Sequence, residues 1–422
     1  MMKRIFYILL PLLLMACSED ERFTMNRSDV LTFAAEGVKV DTVFSGISSS
    51  TYSIWLHNNN SDALRIMTAQ LADGTKGFRV NVDGEYANPA VTDVEVLGGD
   101  SLLVFVELTP VETGQMEPQE LSDELVLTLE SGTEQRVPLK GWAWDAEVWK
   151  DVTITTDTQL TTQKPILVYG KLVVSEGATL TVTGSQLYFH DGAGIDVYGR
   201  LICNDALLRG DRLDYMFSYL PYDRISGQWK GVVLQENAEC QMTGTTLRNA
   251  HDAVTCLAGS VLTMERCVVH NNEGVGINAT TSTLNLSYCQ VSNTAGDLIA
   301  LNGGTAELDH CSLAQYYPFS AGRGLCLSWK DVEYVTGKNL LLASYGEPLD
   351  EEVKWKESSE SSETEEEYKT YRNIDWTSED GNVVLTSFSV AGKDDFLTID
   401  EDNLYYDFHL SETSEITDAG CY

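Results

Sequence analysis

Between Cys240 and Gln315 the chain repeats itself every 22 residues. Aligned on that period, Leu262, Leu284 and Ala306 form one column under Cys240, and Met242, Met264, Leu286 and Leu308 form a second. Thr245, Cys267, Cys289 and Cys311 make a third column, and Leu247, Val269, Val291 and Leu313 a fourth. Asn249, Asn271, Asn293 and Gln315 make a fifth, and Thr255, Ile277 and Ile299 a sixth. A period of this length marks a supersecondary unit that buries its apolar face only when copies stack. Within a copy the apolar columns lie two apart with polar residues between them, which is strand periodicity. The pattern predicts one coil of a parallel β-helix per copy. A leucine-rich repeat fits worse, because its L-x-x-L-x-L spacing is missing. Stacked Asn side chains at 249, 271 and 293 are expected to bond into an amide ladder. Cys267, Cys289 and Cys311 are expected to stack inward as thiols that behave as small hydrophobes, not as disulfides.

The chain has 422 residues, enough for two or three domains. Its formal net charge of −36, from 28 basic and 64 acidic residues, sets nucleic-acid binding aside, since phosphate backbones would repel it. Anionic lipid surfaces are disfavoured on the same ground. Residues 1–17 read as a targeting segment, with Lys3 and Arg4 ahead of an apolar run from Ile5 to Met15 that is too short to span a bilayer. Leu14-Met15-Ala16-Cys17 resembles the lipobox of bacterial lipoproteins, which implies lipidation at Cys17 and a partner in the outer membrane. The acidic run from Ser18 to Glu21 resembles the signal that carries some Gram-negative lipoproteins to the extracellular side. Residues 18–28 are then a flexible tether.

From 29 to 146 the sequence shows short alternating strands broken by turns and no helical period, which predicts an all-β sandwich. The order of these strands, from "LTF" at Leu31 through "YSIWLHNNN" to "VPLKGWA", resembles the immunoglobulin-like domains that precede bacterial surface modules. The β-helix is expected over 147–422. Its early coils look irregular, with Ile166 to Leu172 recurring as Ile195 to Leu201 at a separation of 29. A non-repeating stretch from Arg209 to Lys230, rich in Arg and aromatics, reads as an insert, and Tyr316-Tyr317-Pro318-Phe319 as a second excursion. At about 346–370 a strongly acidic, serine-rich segment cannot bury apolar surface and is expected to be a mobile insertion. Val383–Leu385, Phe388–Val390 and Leu397–Ile399 read as further strands.

The columns, "GQWKGVVL" at 227–234 and the final "DFHLSETSEITDAGCY" together resemble right-handed parallel β-helix proteins of the pectin-lyase-like class. That resemblance implies a long solenoid face, and it raises a carbohydrate-active enzyme, a polysaccharide lyase or glycoside hydrolase, as the alternative function. The paired aspartates, Gly-His-Gly and Arg-x-Pro-x-x-Arg motifs expected of such enzymes are absent from the regular coils, so no catalytic residue is assigned. Asp211, Asp214 and Asp223 in the insert are the carboxylates that could assemble a site beside Arg248 and His270. No Cys-x-x-Cys or His cluster suggests a metal, and no cofactor is implied. Binding asks for less: Arg212, Tyr215, Tyr219, Tyr222, Arg224 and Trp229 in the insert, with Arg248 and His270 on successive coils, offer stacking faces and hydrogen-bonding groups for a glycan or a surface protein. The sequence therefore reads as a lipid-anchored, non-enzymatic cell-surface protein that binds through its β-helix face and aromatic insert.

Overall fold

A computed structural model describes residues 22–215, 221–318, 324–346, 348–349 and 371–421. Cys17, Tyr219 and nearly all of the acidic segment lie outside the described residues. The chain divides between Trp144 and Asp145 into two units.

In the first unit, alternating sequences become two packed sheets. One runs Val38–Phe44, Glu134–Trp144, Gln119–Leu129, Leu64–Leu71, Ala90–Val96, and the other Tyr52–His57, Ser101–Leu108, Phe78–Val82, Glu85–Tyr86. Pairing is antiparallel except where Val38–Phe44 lies parallel to Glu134–Trp144. Every second residue points between the sheets, so Leu56, Ile66, Val80, Val104, Leu125, Leu127 and Val137 share one core. Trp55, between Ile54 and Leu56, faces outward for the same reason.

The second unit stacks coils of three short parallel strands, giving a solenoid with three faces. The first face carries Thr179–Thr183, Arg200–Asn204, Glu239–Thr243, Val261–Glu265, then 283–287 and 305–309, and Tyr334–Lys338. The second carries Gln186–Phe189, Leu207–Gly210, Thr246–Arg248, Val268–Asn272, Gln290–Thr294, Ser312–Gln315 and Leu341–Ser344. The third carries 171–174, Gly194–Val197, Val232–Leu234, Val254–Cys256, then 277–280 and 299–302, and Leu327–Lys330. Cys240, Leu262, Leu284 and Ala306 pair in sequence up the first face, and Leu247, Val269, Val291 and Leu313 up the second. All are buried in one core.

Two expected alignments fail. Thr255 pairs with Asn278, and the residue in register with Ile277 is Val254. The turn after Asn249 is one residue shorter than the turn after Asn271, and the difference is made up before Leu262, so the sixth column is displaced by one although the coil keeps its length. The two "YG" segments do not stack either. Leu172 pairs with Ile195, and Ile166 with Leu187 on the other face, so the 29-residue similarity joins different faces.

Most corners of the regular coils turn on a left-handed residue. One set is Asn237, Gly259, Thr281 and Gly303; a second is Gly244, Arg266, Tyr288 and His310; the third is Asn249, Asn271 and Asn293. Asn tolerates this conformation better than most residues, which accounts for the asparagine column. Just after the second corner, Ser185, Thr245, Cys267, Cys289 and Cys311 each donate to the carbonyl two residues back, at 3.2, 3.2, 3.3, 3.2 and 3.4 Å. The thiol column therefore occupies a position that wants a short side chain carrying a donor. Cys267, Cys289 and Cys311 are buried free thiols.

Candidate functional site

On the outside of the second face, Arg248 pairs with His270, His270 with Ser292 and Ser292 with Ala314, while Arg209 pairs with Tyr188. Side chains pointing out of a solenoid are ordinarily wet, yet Tyr188, Arg209, Ser292 and Ala314 are buried and Arg248 and His270 are half-buried. Two pieces of chain roof this face. One is the insert. The other is the C-terminal hairpin of Phe396–Asp400 with Tyr405–Leu410, whose Phe396 and Phe408 pack with Ala314, Leu341 and Ala343.

The insert is held by its own polar groups and those of the coil beneath. Gln228 accepts from the Arg212 amide at 3.2 Å and donates to the Ile225 carbonyl at 2.8 Å and to the Tyr222 carbonyl. The Asp223 carbonyl accepts from Arg209 at 3.1 Å, Arg248 at 2.5 Å and Asn249 at 3.2 Å. Asn249 also donates to the Ile225 carbonyl at 2.8 Å, and Asn293 accepts from the Tyr316 amide at 3.0 Å. The asparagine column thus spends amide groups on the chain that leaves the coil. The expected amide-to-amide ladder is not formed by these bonds.

Trp229 is a correction to the expected stacking surface. It is 2 % exposed, stacks on Phe189 at 4.2 Å and donates its indole N–H to the Arg248 carbonyl at 2.8 Å. Its amphipathic ring closes the coil where the insert returns, so it is core. Arg212 is drawn into an ion pair with Asp214 at 2.8 Å and lies over the Tyr222 ring at 3.6 Å. Tyr215 is 44 % exposed and gives its hydroxyl to the Asp223 carboxylate. Asp211 turns away from this group, toward His190 at 2.7 Å.

Where the two roof pieces meet, a cleft of about 400 Å³ opens. The insert lends Asp223 and Arg224; the second face lends Arg248, Val268, His270, Asn271 and Gln290; the hairpin lends Leu404 to His409. Arg224 ties the two roofs together. Its Nη1 donates to the Asn403 carbonyl at 2.7 Å, and its guanidinium lies 5.7 Å from the Tyr215 ring and 5.3 Å from Tyr405. Of the residues proposed from sequence, Arg224, Arg248 and His270 line this cleft, whereas Arg212, Tyr215, Tyr222 and Trp229 do not. The hairpin side, with half-exposed Tyr405 and an Asp407–His409 pair at 2.6 Å, was missed. Its signal was the string at 404–408, of which sequence reading took only Asp407 and Phe408, as the start of a closing segment, and left Leu404, Tyr405 and Tyr406 unassigned.

The electrostatics follow from the roof. Burial pushes the Arg248 guanidinium down to about 10, and neighbouring Arg209 adds to the effect. Burial, then Arg248 and Arg209, hold His270 well below the usual imidazole range, so it is neutral at pH 7. Burial raises Asp211 in spite of His190. Among the described residues no group of three or more His, Cys, Asp or Glu side chains is arranged to hold a metal ion.

Residues 221–328 match the family model described as "Right handed beta helix region". The second unit is a right-handed parallel β-helix. The match covers the regular coils of this β-helix and the second half of its insert. No match to a curated protein was found. Among solved structures, a PapD-like domain of human CEP192 is 10 % identical over 31 % of this chain and 97 % of its own, with a TM-score of 0.22. The secreted serine protease VesC of Vibrio cholerae is 13 % identical over 28 % of this chain and 24 % of its own, with a TM-score of 0.21. A variant catalytic domain of a GH87 alpha-1,3-glucanase in complex with nigerose is 9 % identical over 72 % and 76 %, with a TM-score of 0.18. At TM-scores this low, none of the three carries an argument about this chain.

Proposed function

We propose that the protein is a surface lipoprotein, anchored at Cys17 in the outer membrane, whose immunoglobulin-like sandwich spaces a glycan-capturing β-helix from the lipid. One observation carries the glycan reading: the cleft joins a half-exposed aromatic ring, Tyr405, to convergent donors and acceptors from three separate segments. A flat apolar face beside hydrogen-bonding side chains is what a sugar ring requires, being apolar on its faces and hydroxylated at its rim. Hydrolysis is the second reading, favoured by the presence of two carboxylates, Asp223 and Asp407, on the same cleft. Incubation of the purified protein with plant and host glycans, followed for both retention and product release, separates the two. Retention without release is expected. Release of oligosaccharides that Asp223→Asn or Asp407→Asn abolishes would establish the enzyme instead. For the anchor, Cys17→Ala is expected to move the protein from the membrane fraction to the soluble one.

A further inference from the structure

Arginines are scarce in this chain, and several sit beside carboxylates: Arg65 near Asp93, Glu95 and Glu130, Arg136 near Glu124 and Glu134, Arg266 near Glu265. The two roofed ones do not. Arg209 donates to the carbonyls of Gly210, Arg212 and Asp223. Arg248 donates to the Asn249 side-chain oxygen at 3.1 Å and to the Asp223 carbonyl. Neither forms an ion pair among the described residues, although they follow one another on adjacent coils and face the same way.

A nearby carboxylate, that of Asp223, accepts from Tyr215, lies 3.9 Å from Arg224, and attracts Arg209 and Arg248 without bonding to either. Two like charges under a roof, bonded only to neutral oxygens, are costly in a medium that screens poorly. Arg209 is enclosed by those carbonyls. Arg248 lines the cleft, and its Nη1 has no acceptor among the described residues. Neutral His270 and the amides of Asn271 and Gln290 flank it with hydrogen-bonding groups on the side away from the insert.

We infer that the ligand presents a sugar-borne oxyanion, a carboxylate or a sulfate, to Arg248 at the floor of the cleft. This rests on the reading of the cleft as a glycan site. Arg248 shares the Asp223 carboxylate with Arg209 and Arg224 and bonds directly to no anion; an oxyanion supplies that direct partner, and the planar guanidinium is suited to it. Asp407, tied to His409, faces the same space, so the oxyanion sits on the Arg248 side.

The test is calorimetric titration of the full-length lipoprotein in detergent micelles with four probes. These are an oligosaccharide of uronic acids, its carboxyl-reduced neutral counterpart, the same neutral chain after sulfation, and an oligo-glutamate peptide. At least one acidic oligosaccharide is expected to bind tenfold or more tightly than the neutral chain, with an advantage that shrinks as salt rises. Whichever of the two is tighter names the oxyanion. Arg248→Gln should abolish that advantage, weakening the acidic chain tenfold or more and the neutral chain far less, whereas Tyr405→Ala should weaken both alike. Equal affinity for neutral and acidic chains overturns the inference and leaves the glycan site standing. No binding of any glycan sinks the site itself, and tighter binding of the peptide replaces the sugar by a protein ligand. Should Arg248→Gln fail to fold, Arg248→Lys and the salt dependence of the wild type decide. An acidic advantage indifferent to salt overturns the oxyanion.

Discussion

At the scale of single residues, the thiol column was legible as a column but not as a donor position. The common property of Ser185, Thr245 and the cysteines is the bond each closes at a corner, which needs backbone geometry to see. Cys289→Ser keeps both size and donor, and its unfolding free energy in urea is expected to stay within about 1 kcal/mol of wild type. Cys289→Leu adds volume to a full coil and removes the donor, and a loss of roughly 2–4 kcal/mol is expected on the same curve. His270 makes a second case, since sequence placed it among the ligand-binding groups outside the coil and the roof makes it neutral. Its folded affinity for protons is below its unfolded one, so the unfolded state binds more protons as pH falls past about 6.5. Stability is therefore present above that pH and declines below it, by at most about 1.4 kcal/mol per pH unit for this group. His270→Gln should flatten the stability-against-pH curve of the second unit between about pH 5 and 6.5 relative to wild type, and an unchanged slope would show that the imidazole is wet.

Elements were readable wherever coils follow without interruption, because a face must alternate to bury itself and neighbours must match to stack. Reading failed where the chain leaves the coil. Thr255 was misaligned because a turn gains one residue and another gives it back, leaving the period intact. Trp229 looked like a binding ring because it sits in an aromatic insert, whereas the indole is the point of re-entry, stacked on Phe189. Half of the cleft escaped because the hairpin that supplies it is brought over the second face by long-range packing, which no local pattern encodes. The insert itself depends on Asn249, whose side chain accepts from Arg248 and donates to two insert carbonyls. Asn249→Ala strips those bonds and puts alanine in a left-handed corner, so a loss of about 2–4 kcal/mol is expected. Limited proteolysis should then cut within residues 211–228 well before the coils; cutting at the wild-type rate would mean that Gln228, Arg209 and Arg248 hold the insert without Asn249.

For the whole molecule, the two units own separate hydrophobic cores, one between sheets and one inside a stack of coils. Independent cores allow independent melting, while the coils, each touching only its neighbours, share their fate along the stack. Leu284 is fully buried in the middle of that stack, paired with Leu262 on one side and Ala306 on the other. Truncation to alanine leaves a void that strands above and below cannot fill without breaking register, and Leu284→Ala is expected to cost roughly 2–5 kcal/mol. Differential scanning calorimetry should show this as a lowered β-helix transition, with the sandwich transition in place. A single transition shifted as one peak would mean that the two cores melt together and that neither unit is a thermodynamic domain.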